Sequence, residues 1–155
     1  MIREAKPSEM TVVSELFRAY ENEQDSGICF QGFEEELASL PGKYASPEGA
    51  ILLYEDEHGE AIGTLALKPA AEAFTCEIKR LYVYPEARSC GKGRLLVESM
   101  ISLACEKGYR IMKLDTLDTM KSAVSLYTAL GFSKINPSEN DESKILYFIK
   151  NLTNG

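Results

Sequence analysis

Histidine is almost missing from this chain: His58 is the only one in 155 residues. A Ser–His or Cys–His nucleophile would have to be built on it, yet "EDEHGE" reads as a solvated turn between strands. Paired cysteines are missing too. Cys29, Cys76, Cys90 and Cys105 are widely spaced with no CxxC, so the sequence indicates no metal site and no disulfide framework. No apolar run approaches the roughly 18 residues of a membrane span. "MIREAKPSEM" has no signal-peptide core, so a cytoplasmic location and no membrane partner are expected. Positive charge is also short. Seventeen Lys and Arg face 24 Asp and Glu, and the net charge of −7 argues against nucleic acid as a partner. What is present, 45% hydrophobic and 26% charged residues, suits one globular domain spanning 1–155.

"IREA" reads as a first strand. "PSEMTVVSELFRAYENEQ" reads as a helix started by Pro7 and Ser8, with Met10, Val13, Leu16, Phe17 and Tyr20 on one stripe. A shorter helix covers "FEEELASL" and stops at Pro41-Gly42. "AILLYED" and "EAIGTLALKP" form a hairpin around His58-Gly59. In the next strand, "FTCEIKRLYVY", Cys76 and Ile78 share one face while Leu81 and Val83 have the opposite parity. A bulge near Lys79-Arg80 would reconcile them. A helix from about Lys92 to Lys107 is closed by Gly108. Then follow a strand "IMKLDT", a helix "MKSAVSLYTAL" ending at Gly131, and strands "FSKI" and "ILYFIKNL". The order β-α-α-β-β-β-α-β-α-β-β indicates an α/β (α+β) fold, a mixed sheet with helices on both faces.

"RSCGKG", residues 88–93, joins a strand to a helix start, and its basic residues Arg88, Lys92 and Arg94 stand out in an acidic chain. Unpaired N–H groups at a helix start, with Gly91 and Gly93 lacking a Cβ, can cradle a diphosphate. The same glycines could simply shape a tight turn. A nucleoside-triphosphate loop is excluded by the missing first glycine and hydroxyl, and a dinucleotide fingerprint by Leu96 where its third glycine belongs.

Arg-x-x-Gly-x-Gly resembles the pyrophosphate loop of the GNAT superfamily of N-acetyltransferases. "CEIKRLYVYPEARSCGKGRLLVE" is similar to that superfamily's central strand, loop and helix, and "MKSAVSLYTALGF" to its next segment, A-x-x-L-Y-x-x-x-G-F. Ser89 stands where the family often has glycine, Cys90 is an unusual neighbour, and Met120 replaces a frequent Asn. The resemblance implies a mostly antiparallel central sheet of about six to seven strands. It implies acetyl-CoA as cosubstrate, with no metal, held by Arg88, Ser89, Cys90, Gly91, Lys92, Gly93 and Arg94. Backbone groups of Leu81, Tyr82 and Val83 would pair with the pantetheine arm. It also allows a homodimer.

Acetyl transfer from a thioester to an amine needs a base on the amine side and a hydrogen-bond donor near the sulfur. The resemblance makes Tyr127 the donor, protonating or orienting the sulfur. Met120, Ala123, Val124, Tyr127 and Leu130 alone would read as a core stripe. Glu77, 14 residues before Gly91, matches the place where several histone-type members carry a glutamate base. Its apolar neighbours Cys76 and Ile78 lead one to expect a raised pKa. The competing reading pairs it with Lys79 or a cation on the next strand. Cys90, with a helix start and basic neighbours, could be a reactive thiol or merely incidental. The acceptor region carries Glu21, Glu23, Asp25, Glu34, Glu35 and Glu36, an acidic rim suited to a cationic acceptor or simply a solvated face. The expected activity is acetyl transfer to a primary amine of a small molecule. A protein N-terminus or lysine as acceptor, and a non-catalytic acyl-CoA-binding module, are the alternatives.

Overall fold

The structure, a computed structural model, describes residues 1–23, 32–88, 90–117, 120–135 and 145–152. Its strands are β1 (Ile2–Glu4), β2 (Ala50–Glu55), β3 (Ala61–Pro69), β4 (Thr75–Val83), β5 (Ile111–Leu117), β6 (Ser133–Ile135) and β7 (Ile145–Asn151). The helices are α1 (Met10–Glu23), α2 (Phe33–Ala38), α3 (Lys92–Glu106) and α4 (Lys121–Ala129). The strands make one sheet in the order β1-β2-β3-β4-β5-β7-β6, and β4–β5 is its single parallel pair. This is the α/β arrangement expected from the order of elements. Among the described residues no helix is long and apolar enough to cross a membrane.

Alternation along the strands sends apolar side chains to both faces. Leu52, Leu65, Leu67, Cys76 and Ile78 pack with Leu96, Val97 and Met100 of α3 and Tyr127 of α4. Ile51, Leu53, Ala66 and Tyr82 pack on the other face with Val13, Leu16 and Phe17 of α1 and Phe33 of α2. The stripe expected for α1 is therefore the buried one, with Met10 and Tyr20 at its margins. α3 is preceded by Gly91 in the left-handed region, φ 72°, and its C-cap Lys107 is followed by Gly108, φ 93°.

The bulge is present. Thr64 pairs with Tyr82 but Ala66 pairs with Lys79, so β4 carries one residue more than β3 across that interval. Arg80, at φ 65°, is part of that excess. The slip puts Cys76, Ile78, Leu81 and Val83 on the α3–α4 face.

Arg80 is held by an ion pair of two parallel bonds. Its Nε and Nη2 donate to the Glu36 carboxylate of α2, each at 2.9 Å, and its guanidinium lies 5.1 Å from the Phe33 ring centroid. Lys43 Nζ, at 3.1 Å, and the Tyr44 hydroxyl, also at 3.1 Å, complete the shell around Glu36, whose side chain is 9% exposed. Desolvation alone would raise the Glu36 carboxyl, but Arg80 and Lys43 outweigh it and hold it below the usual glutamate value. A carboxylate depressed in the folded state stabilises fully above its unfolded pKa. That contribution is lost as pH falls through the folded value.

Arg80→Met, which leaves Glu36 short of its main partner, is expected to cost about 3 kcal/mol in urea unfolding at pH 7. Adding Glu36→Leu should recover part of the loss, and the penalty of Arg80→Met should shrink in acid as Glu36 protonates.

Candidate active site

β4 and β5 pair at only three positions, Thr75–Ile111, Cys76–Met112 and Glu77–Lys113. Beyond Glu77 the two strands have no ladder between them, although β4 continues to Val83 and β5 to Leu117. The β5-side edge of Leu81, Tyr82 and Val83 thus has no strand neighbour among the described residues. It is an open edge inside a sheet, available to an extended ligand.

At the top of this opening is the turn into α3. Gly91 needs its positive φ, and a Cβ placed there would meet nothing within 4 Å. The α3 N-terminus therefore faces free space with its partial positive charge. Gly93 differs: its Cβ position lies 3.8 Å from Leu126 of α4, so its smallness serves helix packing as much as ligand approach. Lys92 Nζ is 6.0 Å from the Tyr54 ring centroid, and Arg94 pairs with Glu98 one turn on. Cys90 is an exposed thiol. Ser89 lies outside the described residues.

Arg88 is committed elsewhere than the sequence suggested. Its Nε donates to the Val83 carbonyl at 2.8 Å and its Nη2 to Glu23 at 2.8 Å, while the guanidinium lies 5.4 Å from the Tyr82 ring centroid. The side chain braces the end of β4 against the end of α1. It does not stand free beside the helix start.

Tyr127 has its ring in the α3–α4 core, edge-on to Phe132 at 5.7 Å and tilted to Phe148 at 6.2 Å, and it is 6% exposed. Burial, then Tyr20 and Asp115, pushes its phenol well above the usual tyrosine value. Tyr20 belongs to α1, on the opposite face of the sheet. Met112 and Leu114 point into the α3–α4 core, so the alternating Asp115 also points to the α1 side. Both groups that act on this buried phenol thus belong to the far side of the sheet. Its hydroxyl stays protonated across the neutral range.

Glu77 corrects an expectation. Desolvation would raise its carboxyl, but Lys79 and Lys68 outweigh burial and hold it below the usual value. Lys68 Nζ is 3.1 Å and Lys79 Nζ 3.2 Å from its two oxygens, the pairing that was the competing reading. Lys79 continues to Asp115 at 3.3 Å. The result is an alternating row, Lys68–Glu77–Lys79–Asp115, lying across β3, β4 and β5 on the α1–α2 face. Asp115 carried no signal in the sequence, hidden in a short buried-looking strand.

Much of the acidic rim is paired. Glu21 and Glu34 pair with Arg18, Glu23 with Arg88, and Glu36 with Arg80 and Lys43. Glu35 is exposed. Asp25 lies outside the described residues.

Comparison with known proteins agrees with this geometry. Residues 12–132 match the family described as acetyltransferase (GNAT). An uncharacterized N-acetyltransferase of Schizosaccharomyces pombe is 40% identical over 131 residues, 84% of this chain and 80% of that protein. A GNAT-family acetyltransferase from Staphylococcus aureus superposes with a TM-score of 0.82 over 98% of both chains at 22% identity. A phosphinothricin acetyltransferase from Sinorhizobium meliloti, solved with AcCoA, superposes with a TM-score of 0.74 over 97% of this chain and 87% of its own, at 18% identity. With a match over most of its length, an opening between β4 and β5, and a glycine-led helix start beside it, this chain belongs to the GNAT family of acetyltransferases.

Proposed function

We propose that the protein transfers the acetyl group of acetyl-CoA directly to a primary amine of a small molecule, in the opening between β4 and β5. The observation that carries this reading is the unpaired β4 edge inside the sheet, followed directly in the chain by the glycine-led start of α3. The residues suit the ligand. Free space over Gly91 leaves room for a phosphate against the N–H groups of Lys92, Gly93 and Arg94. The edge of Leu81, Tyr82 and Val83 suits an amide-bearing arm. When bound, acetyl-CoA supplies an activated acetyl thioester.

The chain's own groups do three things. A backbone N–H on the open β4 edge polarises the reacting carbonyl, a contribution often of a few kcal/mol. Tyr127 donates a hydrogen bond to the sulfur. Orientation of the sulfur is favoured over outright proton transfer, because a phenol raised above its ordinary value of ~10 is a weaker acid than a thiol near ~8.5. The amine loses its proton toward the carboxylates of the α1–α2 face, Glu77 among them. A lysine-like amine near ~10.4 would otherwise need roughly 4.6 kcal/mol to be neutral at pH 7. The row Lys68–Glu77–Lys79–Asp115 alternates in sign, which suits an acceptor carrying both an ammonium and a polar or anionic group.

The deciding experiment is the thermal midpoint with and without excess acetyl-CoA, with ATP as control, followed by thiol release with L-alaninamide, spermidine, an aminoglycoside and a lysine peptide. At ~100-fold above its Kd a specific ligand adds about 2.7 kcal/mol, or roughly 5–10 °C. A shift with acetyl-CoA alone and thiol release with a small amine support the reading; release only with the peptide favours a protein acceptor. A shift with no release from any amine leaves a binding module.

Gly91→Asp, which puts a carboxylate beside the helix start, should weaken acetyl-CoA binding by about tenfold or more, seen as loss of that shift. Tyr127→Phe keeps the ring and removes the donor. It should lower kcat by roughly 30-fold, about 2 kcal/mol, with the acetyl-CoA shift nearly intact. Unchanged turnover would remove Tyr127 from the chemistry.

A further inference from the structure

Two carboxylates on the α1–α2 face could meet the acceptor, and the sheet register separates them. Glu77 stands on the last rung that joins β4 to β5, opposite Lys113. Asp115 stands two residues further along β5, where no rung remains, on the wall of the opening itself. Glu77 is clamped by Lys68 and Lys79 and its side chain is 19% exposed. Asp115 is 35% exposed and, among the described residues, its one ion pair is to Lys79, whose Nζ is 3.3 and 3.4 Å from the two carboxylate oxygens.

On the acetyltransferase reading above, we propose that Asp115, on the β5 wall of the opening, is the carboxylate that meets the acceptor's amine and accepts its proton. An ammonium nitrogen loses two protons on becoming a secondary amide. One goes to Asp115 and from there to solvent. The nitrogen lone pair forms the new N–C bond as the C–S bond breaks, and the second proton ends on the departing sulfur beside the Tyr127 hydroxyl. No oxidant or reductant is needed. Lys79, anchored by Glu77, positions Asp115 and keeps its charge from being isolated. Tyr147 is the register partner of Asp115 on β7, and Lys113 alternates to the same face of β5.

The test compares wild type, Asp115→Asn, Asp115→Ser and Glu77→Gln for thiol release with L-alaninamide and spermidine from pH 6 to 9, together with the acetyl-CoA thermal shift of each. Both Asp115 variants should keep the shift and lose about 100-fold in kcat at pH 7. The deficit should shrink as pH rises, because solvent then supplies the neutral amine. Glu77→Gln should lower kcat far less. An Asp115 variant that binds acetyl-CoA and turns over like wild type, or whose deficit is the same at every pH, overturns the assignment while leaving the acetyltransferase reading intact. A wild type that shows no acetyl-CoA shift, or binds it and releases no thiol with either amine, overturns that reading and the assignment with it. The serine variant repeats the comparison if asparagine fails to fold.

Discussion

Arg80 sits at a φ of 65°, a conformation that costs a non-glycine residue of order 1 kcal/mol, and the fork it makes with Glu36 holds it there. The interaction joins the bulge of β4 to α2, 44 residues away in sequence. A bulge bends and over-twists the strand that carries it. Here the extra residue falls between Lys79 and Tyr82, beyond Glu77, the last residue of β4 that pairs with β5. The open part of β4 thus carries a local backbone irregularity that a buried charge pair keeps in place. A buried pair of this kind is weak evidence for stability as such, because an apolar replacement of equal volume can do as well. Its value here lies in fixing one register out of two.

The register matters because β4 serves both cores. Cys76 and Ile78 before the bulge and Leu81 and Val83 after it all pack toward α3 and α4, while Tyr82 packs toward α1. Without the slip Leu81 and Val83 would turn to the α1 face, beside the ion pairs of Lys79 and Arg80. That parity clash was legible in the sequence, and so were the α1 stripe, the Gly108 cap and the order of elements, all of which are local patterns. The opening was not. It arises from where β4 and β5 stop pairing, a relation between residues more than thirty apart. The same limit explains Glu77: its apolar neighbours pointed to a raised pKa, and Lys68, brought alongside by the β3–β4 register, helped reverse it. The brace that Arg88 makes was hidden for the same reason, since its partner Glu23 lies 65 residues earlier.

Charge in this protein is organised by pairing more than by patches. The formal charge is −7, yet the described carboxylates around α1 and α2 are largely matched with arginines and lysines from β4, the loop before α3, and α1 itself. The consequence is electrostatic contrast over a short distance. The α3 start keeps an unopposed partial positive charge over Gly91, while the α1–α2 face presents a row of alternating sign. On the proposed reading the first suits an anion and the second a zwitterion or amine.

On the proposed reading, Tyr127 joins those two surfaces into one site. Its ring is fixed by Phe132 and Phe148 in the α3–α4 core, so the hydroxyl has little rotational freedom to lose when a ligand arrives. Its helical stripe on its own reads as core, and the ring is indeed buried. On the proposed reading, the difference between a core tyrosine and a working one is a property of the sheet, set by where two parallel strands stop pairing.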